Sequence, residues 1–397
     1  MADLAPRRLL LVQFSSELDG AGFSGLAVLN GLREAGWQTS AVFASQGPML
    51  DRYRDQGHEC RVIGHKCWLR RAGSLHFARD LFSELRRALE IRALIRRIKP
   101  DLVYINTLSS LAGALAARLA SVPAVWHLRE QFDDVGGEMR SPRWARQLVP
   151  WTLARLSRLV VANSNAVLEN VLGEAGHRKG RVIYNAVDAR FLDESRSRDE
   201  ARRIFGLPPA AAVVGIPGTL RPMKGHAHAF RALAPLIHAG SVDAVLVSGD
   251  GNPGHRERLD RELARLGITG SVHFTGSIRD MPAFFRAIDV ACVPSRSEPF
   301  GRVIIEAQAV GCPVVASAVG GIIEATDQGE TALLSPPEDE ELLREHVRRS
   351  LDGGDDVSLR VARARLRVET VFDASRYVQA VKAAVADALS EAGDARV

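Results

Sequence analysis

The stretch "PSRSEPFGRVIIEAQAVGCPVVAS", Pro294–Ser317, decides the fold because it connects two apolar runs through a turn and a helix. The runs "DVACVPS" and "CPVVASA" at its two ends are apolar throughout, as strands are in a parallel sheet that is covered on both faces. Between them, "RSEPFG" predicts a loop, and "RVIIEAQAVG" predicts a helix that ends at Gly311. A strand, a helix and a strand in this order predict a parallel α/β sheet.

The same alternation extends outward into both halves of the chain. Further apolar runs are "RRLLLVQFS", "TSAVFA", "ECRVIG", "DLVYIN", "PAVWHL", "RLVVANS" and "RVIYNAVD", then "AAVVGIPG", "VDAVLVSGD", "SVHFTGS" and "TALLSP". We predict two doubly wound, Rossmann-like α/β domains at 1–188 and 205–370, joined by a polar linker at 189–204. A terminal helix at 371–397 packs on either domain, and a return to the first is one arrangement. Ligands bind beyond the carboxyl ends of such strands, so two facing domains would enclose a cleft.

Composition is that of a soluble two-domain protein. The chain has 397 residues, 46% of them hydrophobic, and 34 glycines. Four cysteines, Cys60, Cys67, Cys292 and Cys312, have no metal-ligand spacing and predict free thiols in a reducing cytoplasm. The N-terminal stretch "MADLAPRRLLLVQFSSELDG" predicts neither a signal peptide nor a transmembrane helix.

Charge is unevenly distributed. Residues 1–190 hold 27 Lys and Arg against 18 Asp and Glu, whereas the remainder holds 25 against 29. Within Arg61–Lys99 there are eleven basic and three acidic residues, interleaved with apolar ones. Two interpretations stay open for this segment: a helix that lies on an anionic membrane surface, or a solvated helix whose apolar side packs on the sheet. The apolar residues of the segment are Trp68, Leu69, Leu75, Phe77, Leu81, Phe82 and Leu85.

The stretch "PGTLRPMKG" has the features of a phosphate site. Gly218 ends a strand, and Arg221 and Lys224 follow it three residues apart, just before an alanine-rich helix. A planar guanidinium and a compact ammonium together neutralise a diphosphate, and the start of the helix adds backbone donors. Cations near loops are common, so the stretch alone is weak evidence.

The turn around Glu298 offers carboxylates beside backbone amides. The amides of Phe300, Gly301 and Arg302 stand at the start of the predicted helix, where anions bind. Glu306 lies about one turn into the helix among apolar residues, and a sugar diol could supply its hydrogen-bond donors. The alternative is a capping arrangement in which Glu306 pairs with a nearby arginine.

Taken together, these motifs resemble those of the retaining glycosyltransferases of family four, which have the GT-B fold. The matching stretches are "SEPFGRVIIEAQAVGCPVVAS", "GTLRPMKG", "VSGDG", "YNAVD" and "FTGSIRDMPAFFRAIDVACVPS", in the family's order and spacing and across nearly the whole chain. Two positions depart from the family. Ala21 separates Gly20 and Gly22 where adjacent glycines are usual, and Ala186 replaces a glycine after Asn185.

The resemblance implies roles on the donor side. Glu306 would bind the ribose hydroxyls, and Glu298 would contact the donor sugar, with the backbone of Pro299, Phe300 and Gly301 beside sugar and phosphate. Arg221 and Lys224, next to Gly218, would hold the diphosphate. The remaining donor-binding residues would be Ser277, Ile278 and Arg279, which would flank the base, and Arg302.

The resemblance also implies an acceptor side in the first domain. Gly20 and Gly22 would form a loop that lets the backbone approach a phosphate or an acceptor. His127, at a strand end in "PAVWHLREQF", would lie close to the anomeric carbon or its phosphate. Arg129 and Glu130 are lesser candidates.

The reaction implied is transfer of a sugar from a nucleoside diphosphate sugar, with retention, to a glycan or lipid-linked acceptor in cell-envelope or polysaccharide synthesis. No D-x-D lies beside the phosphate elements, so we expect no metal and no other cofactor. The alternatives are a nucleotide-sugar epimerase of the same architecture and a non-catalytic sugar-binding relative. No G-x-G-x-x-G follows the first strand, which argues against a dinucleotide oxidoreductase. We expect a cytoplasmic location, with peripheral attachment to the membrane's inner face left open, and no nucleic-acid partner.

Overall fold

The computed structural model describes residues 6–69, 77–132, 142–177, 180–193 and 195–394. These residues form two units, each with its own parallel sheet. The first unit comprises the described residues of 6–132, 142–185 and 375–394, and the second comprises those of 186–374. Residues 70–76 of the basic segment, among them Leu75, lie outside the described residues.

The first unit contains a seven-stranded parallel sheet in the order β3-β2-β1-β4-β5-β6-β7. Its strands are β1 Arg8–Gln13, β2 Gln38–Phe43, β3 Glu59–Val62, β4 Leu102–Ile105, β5 Ala124–Leu128, β6 Leu159–Ala162 and β7 Gly180–Val182. Its first helices are α1 Gly20–Glu34, α2 Pro48–Asp55, α3 Phe77–Ile98, α4 Leu111–Leu119, α5 Arg143–Leu156 and α6 Asn165–His177.

The second unit contains a six-stranded parallel sheet in the order β10-β9-β8-β11-β12-β13. Its strands are β8 Val213–Pro217, β9 Ala244–Ser248, β10 Val272–Gly276, β11 Val290–Val293, β12 Val314–Ser317 and β13 Leu333–Ser335. Its helices are α7 Arg198–Ile204, α8 His226–His238, α9 Pro253–Leu266, α10 Met281–Ala287, α11 Arg302–Val310, α12 Gly321–Ala325, α13 Glu340–Asp352 and α14 Asp355–Val371. The final helix, α15 Ala374–Asp394, belongs to the first unit from residue 375 onward.

Strand order places the helices on the two faces of the first sheet. The chain moves toward one edge from β1 to β3 and toward the other edge from β4 to β7. Because parallel crossovers are right-handed, α1 and α2 cover one face and α3 to α6 cover the other. The central strands β1, β4 and β5 are almost entirely buried between these layers. The prediction of doubly wound sheets is confirmed.

Each sheet has a switch point, between β1 and β4 in the first unit and between β8 and β11 in the second. In the second unit the turn after β8 lies directly against the end of β11. A Cβ at Gly225 would lie 1.9 Å from the carbonyl oxygen of Pro294, and Gly225 has φ +72°. Only glycine permits this approach, which brings the segment before Gly225 next to the segment after Pro294.

The segment 189–204, predicted as a linker, lies within the second unit. It contains a 3-10 turn at Ala189–Phe191 and helix α7. Phe191 is buried, and the buried guanidinium of Arg202 donates to Asp289 at 2.8 Å. Arg202, one of the charged residues that suggested a linker, therefore forms an ion pair within the second unit.

Several local predictions can be compared directly with the structure. Helix α11 ends at Val310, and Gly311 caps it in the left-handed region, as predicted. All four cysteines are free, and burial raises the pKa of Cys292 to about 12. Strand β7 is shorter than "RVIYNAVD" suggests, since the chain leaves the sheet after Val182. Among the described helices none is both long and apolar enough to span a membrane.

Candidate functional site

Lys224 and Glu298 meet at the switch point of the second unit. Lys224 follows β8 and Glu298 follows β11, and the Gly225 contact holds the two segments together. The Nζ of Lys224 donates to Oε2 of Glu298 at 2.6 Å, and the hydroxyl of Ser295 donates to the same oxygen at 3.3 Å. The side chain of Glu298 is buried and that of Lys224 is partly exposed. Gly218 lies beside the Lys224 stem, while Arg221 is exposed.

The turn from Glu298 to Gly301 is held closely by the start of α12. The amide of Gly321 donates to the carbonyl of Glu298 at 3.0 Å. A Cβ on Gly321 would lie 2.3 Å from the carbonyl oxygen of Pro299. Phe300 is buried edge-to-face on Phe372, with ring centroids 5.7 Å apart. These contacts fix the backbone that leads into α11.

Gly301 is the N-cap of α11 and has φ +93°, a conformation that favours glycine. No side chain caps this helix start within the described structure. The helix points its amino end toward the turn that carries Glu298. Its first turn is thus a place where the helix dipole stabilises an anion.

Glu306 is buried one turn into α11 and pairs with Arg302 of the same helix, Nη2 to Oε1 at 3.1 Å. This is the arginine pairing that the sequence left as an alternative. Burial raises the pKa of Glu306, and the neighbouring Arg302 and Arg190 partly offset that increase. Arg302 therefore holds the carboxylate in place, and removing its hydrogen-bond donors in this buried position would cost free energy.

The predicted base-flanking residues follow β10. The amide of Ser277 donates to Oδ2 of Asp250 at 3.2 Å, and the carbonyl of Arg279 accepts from Nη1 of Arg190 at 3.3 Å. Ile278 lies between them and is partly exposed. Arg190 was not singled out in the sequence, yet it links this segment to the surroundings of Glu306. Asp250, in "VSGDG", anchors the other end.

In the first unit, the hydrogen bonds of His127 define its tautomer. Its Nδ1 lies 2.6 Å from the hydroxyl of Tyr104 and 3.3 Å from Nη2 of Arg129. A guanidinium only donates, so Nδ1 must carry a lone pair, and the neutral ring holds its proton on Nε2. Burial and the charge of Arg129 lower the pKa of His127 well below its usual value. Within the described structure Nε2 is buried and has no hydrogen-bond partner.

Arg129 is the centre of this buried cluster. Its guanidinium donates to Oδ1 of Asn106 and to Oδ1 of Asn185, each at 2.8 Å, and to the hydroxyl of Tyr377 at 2.9 Å. Strand ends supply His127, Arg129 and Asn106, and α15 supplies Tyr377. Arg129 and Asn185 are therefore more central than the sequence indicates. Tyr377 carries no signal in its local sequence.

Gly20 and Gly22 lie in the first turn of α1, so the prediction of a loop there is wrong. Asp19 caps the helix, accepting from the amide of Gly22 at 2.8 Å. A Cβ at Gly22 would lie 2.8 Å from Met49, and the carbonyl of Gly22 accepts from the hydroxyl of Tyr53. Because Gly22 has no side chain, α1 can pack closely against α2 at this position.

The described residues contain no group of three or more His, Cys, Asp or Glu side chains placed to hold a metal. Independence from metal stays a prediction.

Family models cover most of both units. The model described as Glycosyltransferase Family 4 matches residues 18–191, and the model described as Glycosyl transferases group 1 matches residues 211–353.

Two curated relatives are glycosyltransferases by name. The chain is 30% identical to a 2-deoxystreptamine glucosyltransferase of Streptomyces kanamyceticus over 279 residues, which are 65% of this chain and 70% of the relative. It is 40% identical to a D-inositol 3-phosphate glycosyltransferase of Salinispora arenicola over 195 residues, 42% of each chain. The match thus spans less than half the length of this second relative.

Solved structures share the architecture. Alr3699/HepE of Anabaena, crystallised with UDP-glucose, superposes with a TM-score of 0.82 at 23% identity and covers 96% of this chain and 99% of its own. Sucrose-phosphate synthase of Thermosynechococcus elongatus superposes with a TM-score of 0.77 at 19% identity, covering 97% and 100%. At these identities the likeness concerns the fold alone.

Proposed function

The chain belongs to the glycosyltransferases of group 1 and family 4 and has their GT-B fold, and on that premise we propose that it transfers a hexose with retention from a nucleoside diphosphate sugar. The observation that carries the proposal is the 2.6 Å contact between Lys224 and Glu298 at the switch point of the second unit. It places a cation suited to phosphate next to a carboxylate suited to sugar hydroxyls, at the edge where doubly wound sheets bind ligands.

In this proposal, cations and helix amides stabilise the leaving diphosphate. Lys224, Arg221 and the amino end of α11 oppose the negative charge that develops on the phosphate oxygens. Glu298 binds hydroxyls of the donor sugar and orients Lys224. Glu306 binds the ribose diol, whose hydroxyls donate to the buried carboxylate in addition to Arg302. The second unit by itself contains all five of these groups.

Ser277, Ile278 and Arg279 flank the base in the same proposal. The contact from Arg190 to the carbonyl of Arg279 ties their position to the surroundings of Glu306. Base and ribose would thus be recognised by segments that are already connected to each other. No resident metal or organic cofactor is required by this scheme.

His127 acts as a neutral hydrogen-bond donor. Its proton is on Nε2, because Arg129 and Tyr104 engage Nδ1. A buried N–H without a protein partner favours a bound oxygen, and a sugar hydroxyl or phosphate oxygen provides one. A lowered pKa means that His127 does not supply a full positive charge or a transferable second proton near neutral pH.

UDP-glucose is the first donor to test, since Alr3699/HepE was crystallised with it and the Streptomyces relative is named a glucosyltransferase. The proposed acceptor is a glycan or a lipid-linked sugar of cell-envelope or polysaccharide synthesis. A second candidate is a free cyclitol, because inositol phosphate and 2-deoxystreptamine, named in two relatives, are both cyclitols. The four unpaired cysteines support a cytoplasmic location.

The test is a screen of purified protein against UDP-, GDP- and ADP-sugars with thermal shift and released nucleoside diphosphate as readouts. We expect Lys224→Ala and Glu298→Gln to reduce turnover at least about hundredfold, and the exposed Arg258→Ala on α9 to leave it unchanged. NMR of the product should show the anomeric configuration of the donor, and EDTA should not inhibit. Full turnover in Lys224→Ala, an inverted product or loss of activity in EDTA would each contradict the corresponding part of the proposal.

A further inference from the structure

Helix α3 has apolar residues on both sides, since Ala88, Ile91, Leu94 and Ile95 pack in the core while other apolar residues face outward. Asp80 and Glu84 are buried, where Glu84 accepts from the amide of Lys66 at 2.6 Å and Asp80 accepts from its Nζ at 3.2 Å. The outer side exposes Phe82 to 72%, together with Leu81, Leu85 and Leu89. A helix that faces water normally carries polar residues on its outer side, so this row of exposed apolar residues is unusual. The outer side of α3 is thus suited to an apolar environment.

Helix α5 repeats this feature. Trp144, Leu148 and Trp151 are all exposed, Trp151 to 62%, and their spacing of four and three residues aligns them in one stripe. Arg155 continues the stripe, with its guanidinium 5.4 Å from the centre of the Trp151 ring. The helix contains three arginines and no acidic residue. Tryptophan and arginine are the residues that favour the boundary between lipid and water.

Both stripes lie on the same side of the first sheet. Helices α3, α4 and α5 cover one face, and α4 packs against each of the other two. In a parallel sheet each helix runs back against its strands, so its first half lies near the strands' carboxyl ends. Of the exposed apolar residues, Leu89 and Trp151 lie just past the middle of their helices, whereas Leu81, Phe82, Leu85, Trp144 and Leu148 occupy the first halves of α3 and α5. They therefore lie toward the edge that also carries His127 and Arg129.

We propose that this surface, made of the outer sides of α3 and α5, docks on an anionic lipid bilayer. Charge complementarity favours this occupant, since the exposed Arg86 on α3 matches anionic headgroups, as do Arg143 and Arg155 on α5. Each arginine near such a surface adds about 1 kcal/mol. Helix faces that project outward suit a planar partner, whereas a peptide partner is usually held in a groove. The attachment is peripheral, because no described helix spans a membrane.

Docking in this orientation brings the carboxyl edge of the first sheet close to the headgroups. A lipid-linked acceptor would then reach His127 without leaving the bilayer. The delivery of a lipid-linked acceptor to His127 rests on the proposed function, whereas the docking on lipid does not rest on it.

The experiment measures flotation of the full chain with vesicles of phosphatidylcholine, with and without phosphatidylglycerol. We expect binding only to the anionic vesicles, decreasing with salt, and quenching of Trp151 fluorescence by brominated acyl chains. Phe82→Ser with Leu148→Ser should reduce partitioning at least about tenfold through lost apolar burial. Arg86→Glu with Arg155→Glu should reduce it by at least a similar factor.

The matched controls are in the second unit. Leu359 is exposed to 51%, as is Leu148, and Leu366 is exposed to 60%, so Leu359→Ser with Leu366→Ser should leave flotation unchanged. Arg258→Glu with Arg261→Glu controls for net charge. All variants should retain the thermal shift by nucleotide sugar, which separates failed docking from a failed function. The proposal is overturned by absence of flotation, by equal loss in the controls, or by self-association that Phe82→Ser abolishes without any vesicle binding.

Discussion

Replacing Glu84 by glutamine should change how the stability of the first unit depends on pH. Glu84 is fully buried in α3, and burial raises the pKa of its carboxyl from 4.5 to about 7, while the amide and charge of Lys66 partly offset this. The folded state holds the proton more tightly than the unfolded state. The stabilising contribution is therefore complete below about pH 4.5 and is lost as pH rises through about 7.

The size of the effect follows from the shift. Each pKa unit corresponds to about 1.4 kcal/mol, and some of this is screened by water around the half-exposed Lys66 side chain. We expect the carboxyl of Glu84 to lower the free energy of unfolding of the native protein by about 2 kcal/mol more at about pH 8 than at about pH 5. Glutamine has nearly the same shape, still accepts from the amide of Lys66 and does not titrate. The free energy of unfolding of Glu84→Gln should therefore gain about 2 kcal/mol relative to the native protein over this range.

Urea unfolding followed by tryptophan fluorescence measures this directly. All five tryptophans are in the first unit, so the signal reports on that unit. Burial also raises the pKa of Glu130 to about 7. Glu130 is present in both proteins, so its contribution to the free energy of unfolding cancels in the difference between them. A difference between the two proteins that stays constant from about pH 5 to about pH 8 would refute the reasoning, because it would mean that Glu84 does not titrate in this range.

Two further predictions concern the two switch points. Tyr104→Phe removes one of the two groups at Nδ1 of His127 and should lower kcat about tenfold at nearly unchanged donor KM, because the ring is held less firmly. Nitrogen-15 NMR should still show the Nε2–H tautomer in this variant, because Arg129 continues to donate to Nδ1, whereas Tyr53→Phe, which removes another buried hydroxyl, should leave kcat unchanged. An Nδ1–H tautomer, or an unchanged kcat in Tyr104→Phe, would contradict this assignment. Gly225→Ala forces a Cβ to within 1.9 Å of the carbonyl oxygen of Pro294 and should destabilise the second unit by about 3 kcal/mol or more. Hydrogen exchange of the amides in β8 and β11 measures this loss. Amide protection equal to that of the native protein would show that glycine is not required at this position.

Local patterns were sufficient to predict the elements and the ends of the key helix. Apolar runs identified both sheets, and the glycine at 311 identified the end of α11, because each depends on the chemistry of neighbouring residues. The pairing of Arg302 with Glu306 was also within reach, since residues four apart share a helix face. These features need no knowledge of the distant chain.

Contacts between distant segments could not be predicted in this way. Lys224 meets Glu298 because β8 and β11 are neighbours in the sheet, although β9 and β10 lie between them in sequence. Arg202 looked like part of a charged linker because its partner Asp289 is distant in sequence. The stripe on α5 is visible in its spacing, but only the packing of α4 and the sheet determines that it is exposed.

The hydroxyl of Tyr377 has a consequence for how the protein is made. It comes from α15, after the entire second unit in the sequence, yet it completes the hydrogen bonds of Arg129 in the first unit. A nascent chain that has emerged only to residue 185 has every strand of the first sheet but leaves one donor of that guanidinium unmatched. Because synthesis proceeds from the amino end, the hydrogen bonds of Arg129 are completed only after the entire second unit has been translated.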